Sequence, residues 1–163
     1  MNFNFPIILI SALIPLLIGF IWYHPKVFGN AWMALTGIKP EDGKKANMPL
    51  IFGLTYLFSV MAASALIAVV IHQFSLYSII QRVQSTDPNA MTMVNDFMSK
   101  YGTEFRTFKH GALHGTLMGI FLILPTFAIN SLFEQKKWKY IWINAGYWIV
   151  CLALMGGVIC QWF

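Results

Sequence analysis

The sequence predicts an all-α protein, an integral membrane four-helix bundle with short interfacial amphipathic helices. Of its 163 residues, 58% are hydrophobic and only 10% are charged, whereas soluble proteins carry about 25% charged residues. The charged residues are also clustered, so that residues 1–25, 46–81, 110–133 and 140–163 contain none. These two observations exclude a disordered chain, a nucleic-acid-binding domain and a conventional soluble enzyme.

Each of the four uncharged segments is long enough for one membrane-spanning helix. Such a helix needs about 20 mainly apolar residues, because each residue rises about 1.5 Å across a hydrocarbon core of about 30 Å. A helix also satisfies its backbone hydrogen bonds internally, as the lipid core requires. We therefore place spans near residues 5–23, 49–71, 111–133 and 140–162 of a single transmembrane domain, residues 1–163.

The basic residues of the loops predict the orientation of the spans. The first and third loops lie on one side and hold seven lysines: Lys26, Lys39, Lys44, Lys45, Lys136, Lys137 and Lys139. The second loop holds Arg82, Lys100, Arg106 and Lys109. Because cytoplasmic loops carry an excess of lysine and arginine, we expect the first and third loops in the cytoplasm and both termini outside. The net charge of +5 mostly reflects this topology and suits anionic lipid headgroups.

The first loop contains a predicted interfacial helix near residues 26–36. Val27, Ala31 and Leu35 recur at intervals of four residues, which places them on one face of a helix. Gly37 is expected to end it. An amphipathic helix of this kind lies in the plane of the membrane boundary.

The second loop is too long to lack structure, and its pattern predicts two helical segments. Apolar residues from Leu76 to Val83 continue a helical spacing, so we expect the second span to extend past the bilayer. A further helix near residues 88–101 is expected to begin with Asp87 as N-cap and Pro88 at its first position. We interpret it as an interfacial cap on the bundle, with a lid or partner-binding element as the alternative.

A GxxxG pattern occurs twice in succession in the third span. Gly111, Gly115 and Gly119 are four residues apart, so they form a flat groove on one helix face, which allows another helix backbone to approach closely. Small residues for the other side of the groove occur in the second span and, as Gly156 and Gly157, in the fourth. The motif leaves open whether the contact forms within one chain or between chains.

Three histidines are candidates for a metal or haem site. His110 and His114 are four residues apart, a spacing at which two imidazoles on one helix face can share a metal ion. His72 follows the second span and is expected at the same membrane face, where Asp96 or Glu104 could add an oxygen ligand. The alternative is that these histidines only satisfy hydrogen bonds at the membrane boundary.

Polar residues and prolines within the spans suggest a second kind of site. Proline in a helix leaves a backbone carbonyl without its partner, and broken helices build binding sites in transporters. Pro15, Pro125, Thr126, Asn130 and Asn144 are the residues from which a polar cavity could form. The alternative is structural, because proline is common in membrane helices and asparagine and threonine form hydrogen bonds between them.

Several stretches of the sequence together resemble a family of small bacterial membrane proteins, domain of unknown function 1761. They are residues 19–25 (GFIWYHP), 28–33 (FGNAWM), 111–115 (GALHG), 124–126 (LPT), 144–147 (NAGY) and 155–157 (MGG). The resemblance implies a four-helix integral membrane protein. We expect it in the bacterial cytoplasmic membrane. It carries over no catalytic residue.

No nucleophile–base pair, phosphate-binding loop or dinucleotide-binding motif occurs in the sequence, so we expect neither an enzyme nor a cofactor. The function that we expect is a non-enzymatic helix-packing module that self-associates or is a subunit of a larger membrane assembly. Its partners would be the lipid bilayer and either other copies of the chain or other membrane proteins. The alternatives are a small-molecule or ion transporter and a metal- or haem-binding membrane protein.

Overall fold

The computed structural model describes residues 4–163 and confirms the predicted fold class. Every regular element of these residues is helical, and four helices are long and apolar enough to cross a membrane: Phe5–Trp22, Met48–Val70, Phe108–Phe133 and Trp138–Trp162. Their bounds lie within three residues of those predicted. The protein is therefore a multi-pass membrane protein.

The first span is divided into helices α1 (Phe5–Ser11) and α2 (Ile14–Trp22). The division lies beside Pro15, which has no N–H to donate to the preceding turn. The hydroxyl of Ser11 donates to the carbonyl of Ile7 at 2.8 Å, so the polar side chain at the break is satisfied within its own helix.

The first loop contains a helix at the residues where an interfacial one was predicted. A π-helical turn, Pro25–Gly29, continues directly into α3 (Asn30–Thr36). Gly37 follows with a φ of 77°, a left-handed conformation that glycine adopts at little cost, and it ends the helix as expected. A short helix, α4 (Asp42–Lys45), precedes the second span.

The second span, α5 (Met48–Val70), ends at Val70 and does not continue as one helix through residues 76–83 as we expected. The chain turns at Ile71, which is extended, and a separate helix, α6 (Gln73–Val83), follows. The apolar spacing is helical on both sides of this corner, which is why the pattern alone did not reveal it. The corner places His72 at the N-terminal end of α6.

The prediction for the start of the next helix was wrong by two residues, since α7 spans Ala90–Tyr101. Asp87 does not cap it. Its carboxylate accepts a hydrogen bond from the backbone N–H of Asn89 at 2.9 Å and so stabilises a turn, which competes with capping for aspartate side chains.

The third span comprises α8 (Phe108–Met118), a π-helical turn (Gly119–Ile123) and α9 (Leu124–Phe133), and the fourth is one helix, α10 (Trp138–Trp162). The π-helical turn immediately precedes Pro125, which lacks the N–H for a regular helical hydrogen bond. Such π-helical turns commonly accommodate an irregularity in a helix.

The fourth span is the central helix of the bundle, and the other three pack around it. Cys151, Met155 and Ile159 of α10 are fully buried. The outer faces of the surrounding spans expose large apolar side chains such as Leu17, Leu57 and Phe121, as is expected where a helix faces lipid.

The glycine groove of the third span is occupied within the chain, by the fourth span. A Cβ atom at Gly111 would overlap the carbonyl oxygen of Gly156, and one at Gly115 would overlap that of Leu152. At Gly119 it would come within 2.7 Å of the Cα of Ile149. The three glycines therefore set the distance between α8 and α10, and the small residues of the second span are not their partners.

Candidate metal centre

His72 is held at the corner between α5 and α6. The preceding residue, Ile71, is fully buried and fixes this corner to the bundle. The His72 side chain itself is exposed, so it projects from the bundle at the end of the second span.

His110 and His114 lie on the first two turns of α8, and both are half-buried. The helix is capped by Thr107, whose hydroxyl accepts a hydrogen bond from the backbone N–H of His110 at 3.2 Å. Gly111 and Gly115 follow the two histidines directly and hold α8 against α10. The glycine groove therefore also determines where the two imidazoles stand.

The three imidazoles converge in space. The Nε2 atoms of His72 and His110 are 2.9 Å apart, a hydrogen bond in which one ring donates and the other accepts. One ligand nitrogen from each of His72, His110 and His114 lies within 4.8 Å of the others. Two nitrogens bound to one tetrahedral zinc ion are separated by about 3.3 Å, given Zn–N bonds of about 2.0–2.1 Å. The three nitrogens therefore lie near the separation that one shared ion requires.

Within residues 4–163, this histidine cluster is the one group of three or more histidine, cysteine or acidic side chains with donor atoms so close together. Asp96 and Glu104, the oxygen ligands that the sequence suggested, do not belong to it. The cluster therefore offers three neutral nitrogen ligands, and a tetrahedral ion bound there would keep one coordination position for another ligand.

Phe105 covers one side of the cluster. Its ring centroid lies 5.0 Å from that of His110 and 6.5 Å from that of His72. Its backbone φ is 61°, a left-handed conformation that costs a residue other than glycine about 1–3 kcal/mol. A conformation of this kind persists only where surrounding contacts impose it.

Hydrogen bonds on both sides of the segment between α7 and α8 hold Phe105 in this left-handed conformation. The amide of Gln73 donates to the carbonyls of Gly102 and Glu104, each at 3.0 Å. On the other side, Arg106 donates through Nε to the carbonyl of Cys160 in α10 at 2.8 Å. The segment that carries Phe105 is thus tethered to α6 and to the central helix.

A cavity of about 480 Å³ adjoins the cluster between α6 and α7. We call it the α6–α7 cavity, and its lining residues are His72, Gln73, Leu76, Phe97, Met98, Tyr101, Glu104 and Phe105. His72 and Phe105 belong both to the wall of this cavity and to the surroundings of the cluster, so a ligand in the cavity would lie beside a bound ion.

The residues proposed for a polar cavity lie in two separate places. Pro125, Thr126 and Asn130 are exposed on the third span, where the Thr126 hydroxyl donates to its own helix. Asn144 is buried and accepts a hydrogen bond from the hydroxyl of Tyr23 at 3.1 Å. Asn144 therefore connects the first and fourth spans instead of joining the polar residues of the third.

Pro15 lines a second cavity, of about 530 Å³, between the first two spans. The backbone carbonyl of Pro15 accepts a hydrogen bond from the Tyr147 hydroxyl at 2.7 Å. This bond connects the first span to the central helix. The wall is mainly apolar and aromatic, with Phe20, Trp32 and Phe52 among its members, and its polar side chains are Tyr23, His24, Thr55 and Tyr147. The lining of this cavity is thus more suited to an apolar molecule than to an ion.

Comparison with known proteins agrees with the resemblance seen in the sequence. The family described as protein of unknown function (DUF1761) matches residues 7–160. The chain belongs to this family. No curated protein and no solved structure matches it. The match extends across residues 73–107 of this DUF1761 member, a region that contributed nothing to the resemblance.

Sequence reasoning missed two residues of the site, Phe105 and Gln73. Phe105 lies in an irregular segment, where no periodic pattern indicates the direction of a side chain. Gln73 directly follows His72, but its role depends on carbonyl groups 29 and 31 residues away along the chain. Neither contact has a signature in the local sequence.

Proposed function

We propose that this protein binds a divalent transition-metal ion at the membrane boundary through His72, His110 and His114. The observation that carries the proposal is the convergence of one imidazole from the corner before α6 and two from α8, with donor nitrogens within 4.8 Å of one another. His72 is 38 residues from His110 along the chain. The corner after α5 and the packing of α5 and α10 on α8 bring the two together.

The chemistry of the ligands favours Zn²⁺ or a similar ion. Imidazole suits zinc, copper, nickel and iron, whereas magnesium and calcium require oxygen ligands. The ring centroids are 4.5–5.0 Å apart. This spacing leaves no room for a planar haem between the rings, so it favours a single ion over the haem alternative.

We further propose that the protein resides in a bacterial cytoplasmic membrane with both termini on the periplasmic side. The excess of lysine in the first and third loops supports this orientation, and the family resemblance supports a bacterial source. The histidine cluster follows the second span, so in this orientation it faces the periplasm and binds an ion from outside the cell.

In this proposal the protein binds a metal ion and is not an enzyme. Its partner is the bilayer, which contacts the exposed apolar side chains of the outer spans. Association with another copy or with other membrane subunits stays a prediction without a defined surface, because the glycine groove on which it rested packs against α10.

The experiment is a titration of the purified, metal-free protein with Co²⁺ in an uncharged detergent, followed by visible absorption. We expect one tetrahedral Co²⁺ per chain, displaced by Zn²⁺. Loss of an outer-shell partner alone costs about 10–100-fold in metal affinity, so His72→Ala, His110→Ala and His114→Ala should each weaken binding by at least about tenfold.

The matched control is His24→Ala. His24 is exposed in the first loop, where its Nδ1 accepts a hydrogen bond from the backbone N–H of Lys26, and it does not belong to the cluster. We expect this variant to bind Co²⁺ like the unmodified protein. Absence of tetrahedral Co²⁺ from the unmodified protein, or an equal loss on replacing His24, would contradict the proposal.

A further inference from the structure

The α6–α7 cavity is an open, mainly apolar cavity that adjoins the histidine cluster at His72. Its wall is formed mainly by the side chains of Leu76, Phe97, Met98 and Tyr101, and its volume of about 480 Å³ lies in the range of about 300–1,000 Å³ that small-molecule sites occupy. His72 is part of this wall. A molecule that binds the ion at its open position can therefore extend into the α6–α7 cavity.

Charge decides which head group suits the open position. Three neutral imidazoles leave a divalent ion with its full charge of +2, and bound ions of this kind are the largest local charges in a site. An anionic oxygen ligand is favoured under these conditions, and carboxylates bind zinc through oxygen at about 2.0–2.2 Å. A carboxylate head group therefore fits the open position.

The surroundings of the cavity indicate where its ligand comes from. Ile79 of α6, Met93 and Phe97 of α7, and Phe105 are each more than half exposed, although they lie outside the membrane spans. Helices with such apolar faces lie within the boundary between headgroups and acyl chains. The cavity is therefore bordered by the layer in which single-chain amphiphiles reside.

We propose that the metal site takes a long-chain carboxylate from the bilayer, with its carboxylate on the ion and its hydrocarbon tail in the α6–α7 cavity. This inference rests on the proposed metal binding. Glu104 lines the same cavity and is the competing ligand within the chain, so the experiment must separate the two.

The test uses the Co²⁺-loaded protein in an uncharged detergent and follows its visible spectrum during titration with dodecanoate or acetate. We expect dodecanoate to change the spectrum with one equivalent per chain and at a concentration at least about 100-fold lower than acetate, because its methylenes are buried. Dodecyltrimethylammonium, which has the same tail and no carboxylate, should leave the spectrum unchanged.

Two variants of α6 test the position of the tail. Leu76→Trp fills the cavity and should weaken the dodecanoate response by at least about tenfold, while the Co²⁺ spectrum shows that the site itself remains intact. Ile79→Trp adds the same ring to the exposed face of the helix and should leave the response unchanged. Glu104→Gln should leave the Co²⁺ spectrum unchanged and should not weaken dodecanoate binding.

The outcomes separate this inference from the proposal on which it rests. A protein that binds no Co²⁺ refutes metal binding itself. Co²⁺ binding without a preference for dodecanoate over acetate, or a spectrum that changes on Glu104→Gln before any ligand is added, overturns only the carboxylate inference. An equal response of the two tryptophan variants would also overturn it, because the tail would then lie elsewhere.

Discussion

Replacement of Gly115 by alanine tests the contact that joins the third span to the central helix. The added Cβ atom would overlap the carbonyl oxygen of Leu152 and come within 2.9 Å of the backbone nitrogen of Ala153. Both are backbone atoms of a continuous helix, α10, and cannot rotate away as a side chain can. The variant must therefore move α8 away from α10.

The expected cost follows from two opposing effects. Overpacking of a closely fitted site costs about 1–3 kcal/mol, and the upper end applies here because the obstructing atoms are backbone. Alanine is favoured over glycine within a helix by about 0.5–1 kcal/mol. We therefore expect Gly115→Ala to lower the free energy of unfolding by about 2 kcal/mol.

Gly53 supplies the matched control. It lies within α5, and a Cβ atom there would meet nothing within 4 Å. Gly53→Ala should therefore show only the gain in helix preference, about 0.5–1 kcal/mol of added stability. The two variants have the same chemistry and are expected to change stability in opposite directions.

The assay is reversible unfolding in mixed micelles of increasing denaturing detergent, followed by the fluorescence of the six tryptophans, with native mass spectrometry of the same samples. We expect lower stability and an unchanged oligomeric state for Gly115→Ala. A variant as stable as Gly53→Ala would refute the close contact. A variant that only dissociates an oligomer would show that the groove joins separate chains.

Two further predictions concern the orientation and the segment that carries Phe105. In intact cells, a membrane-impermeant thiol reagent should label Ser85→Cys in the second loop but not Gly43→Cys in the first, because the proposed topology places the second loop outside and the first inside. The opposite labelling would reverse that topology. Gln73→Ala removes both hydrogen bonds that hold residues 102–104. Together the two bonds contribute about 1.5 kcal/mol, so amide hydrogen exchange in residues 102–106 should accelerate by about tenfold. Gln84→Ala, at the exposed end of the same helix, should leave the exchange rate unchanged. Equal exchange rates in the two variants would show that the Gln73 hydrogen bonds do not hold this segment.

Properties of short stretches of sequence were sufficient to predict the fold class. Each span is a charge-free segment, and a helix that crosses lipid depends mainly on its own length and hydropathy. The same local reasoning predicted the end of the first-loop helix at Gly37. It was wrong where a side chain had two local options, as at Asp87, which forms a turn instead of a helix cap.

The candidate site depends on contacts between distant parts of the chain, so only its parts could be predicted. The spacing of His110 and His114 follows from the sequence, because four residues make one turn of a helix. Their approach to His72 depends on the corner after Val70 and on the packing of α8 against α10. The partner of Gly115 likewise had two candidates, and the tertiary structure selected the fourth span. Hydropathy and helical period are properties of short stretches of sequence. The positions of the three imidazoles and of the adjoining cavity depend instead on which helices pack together.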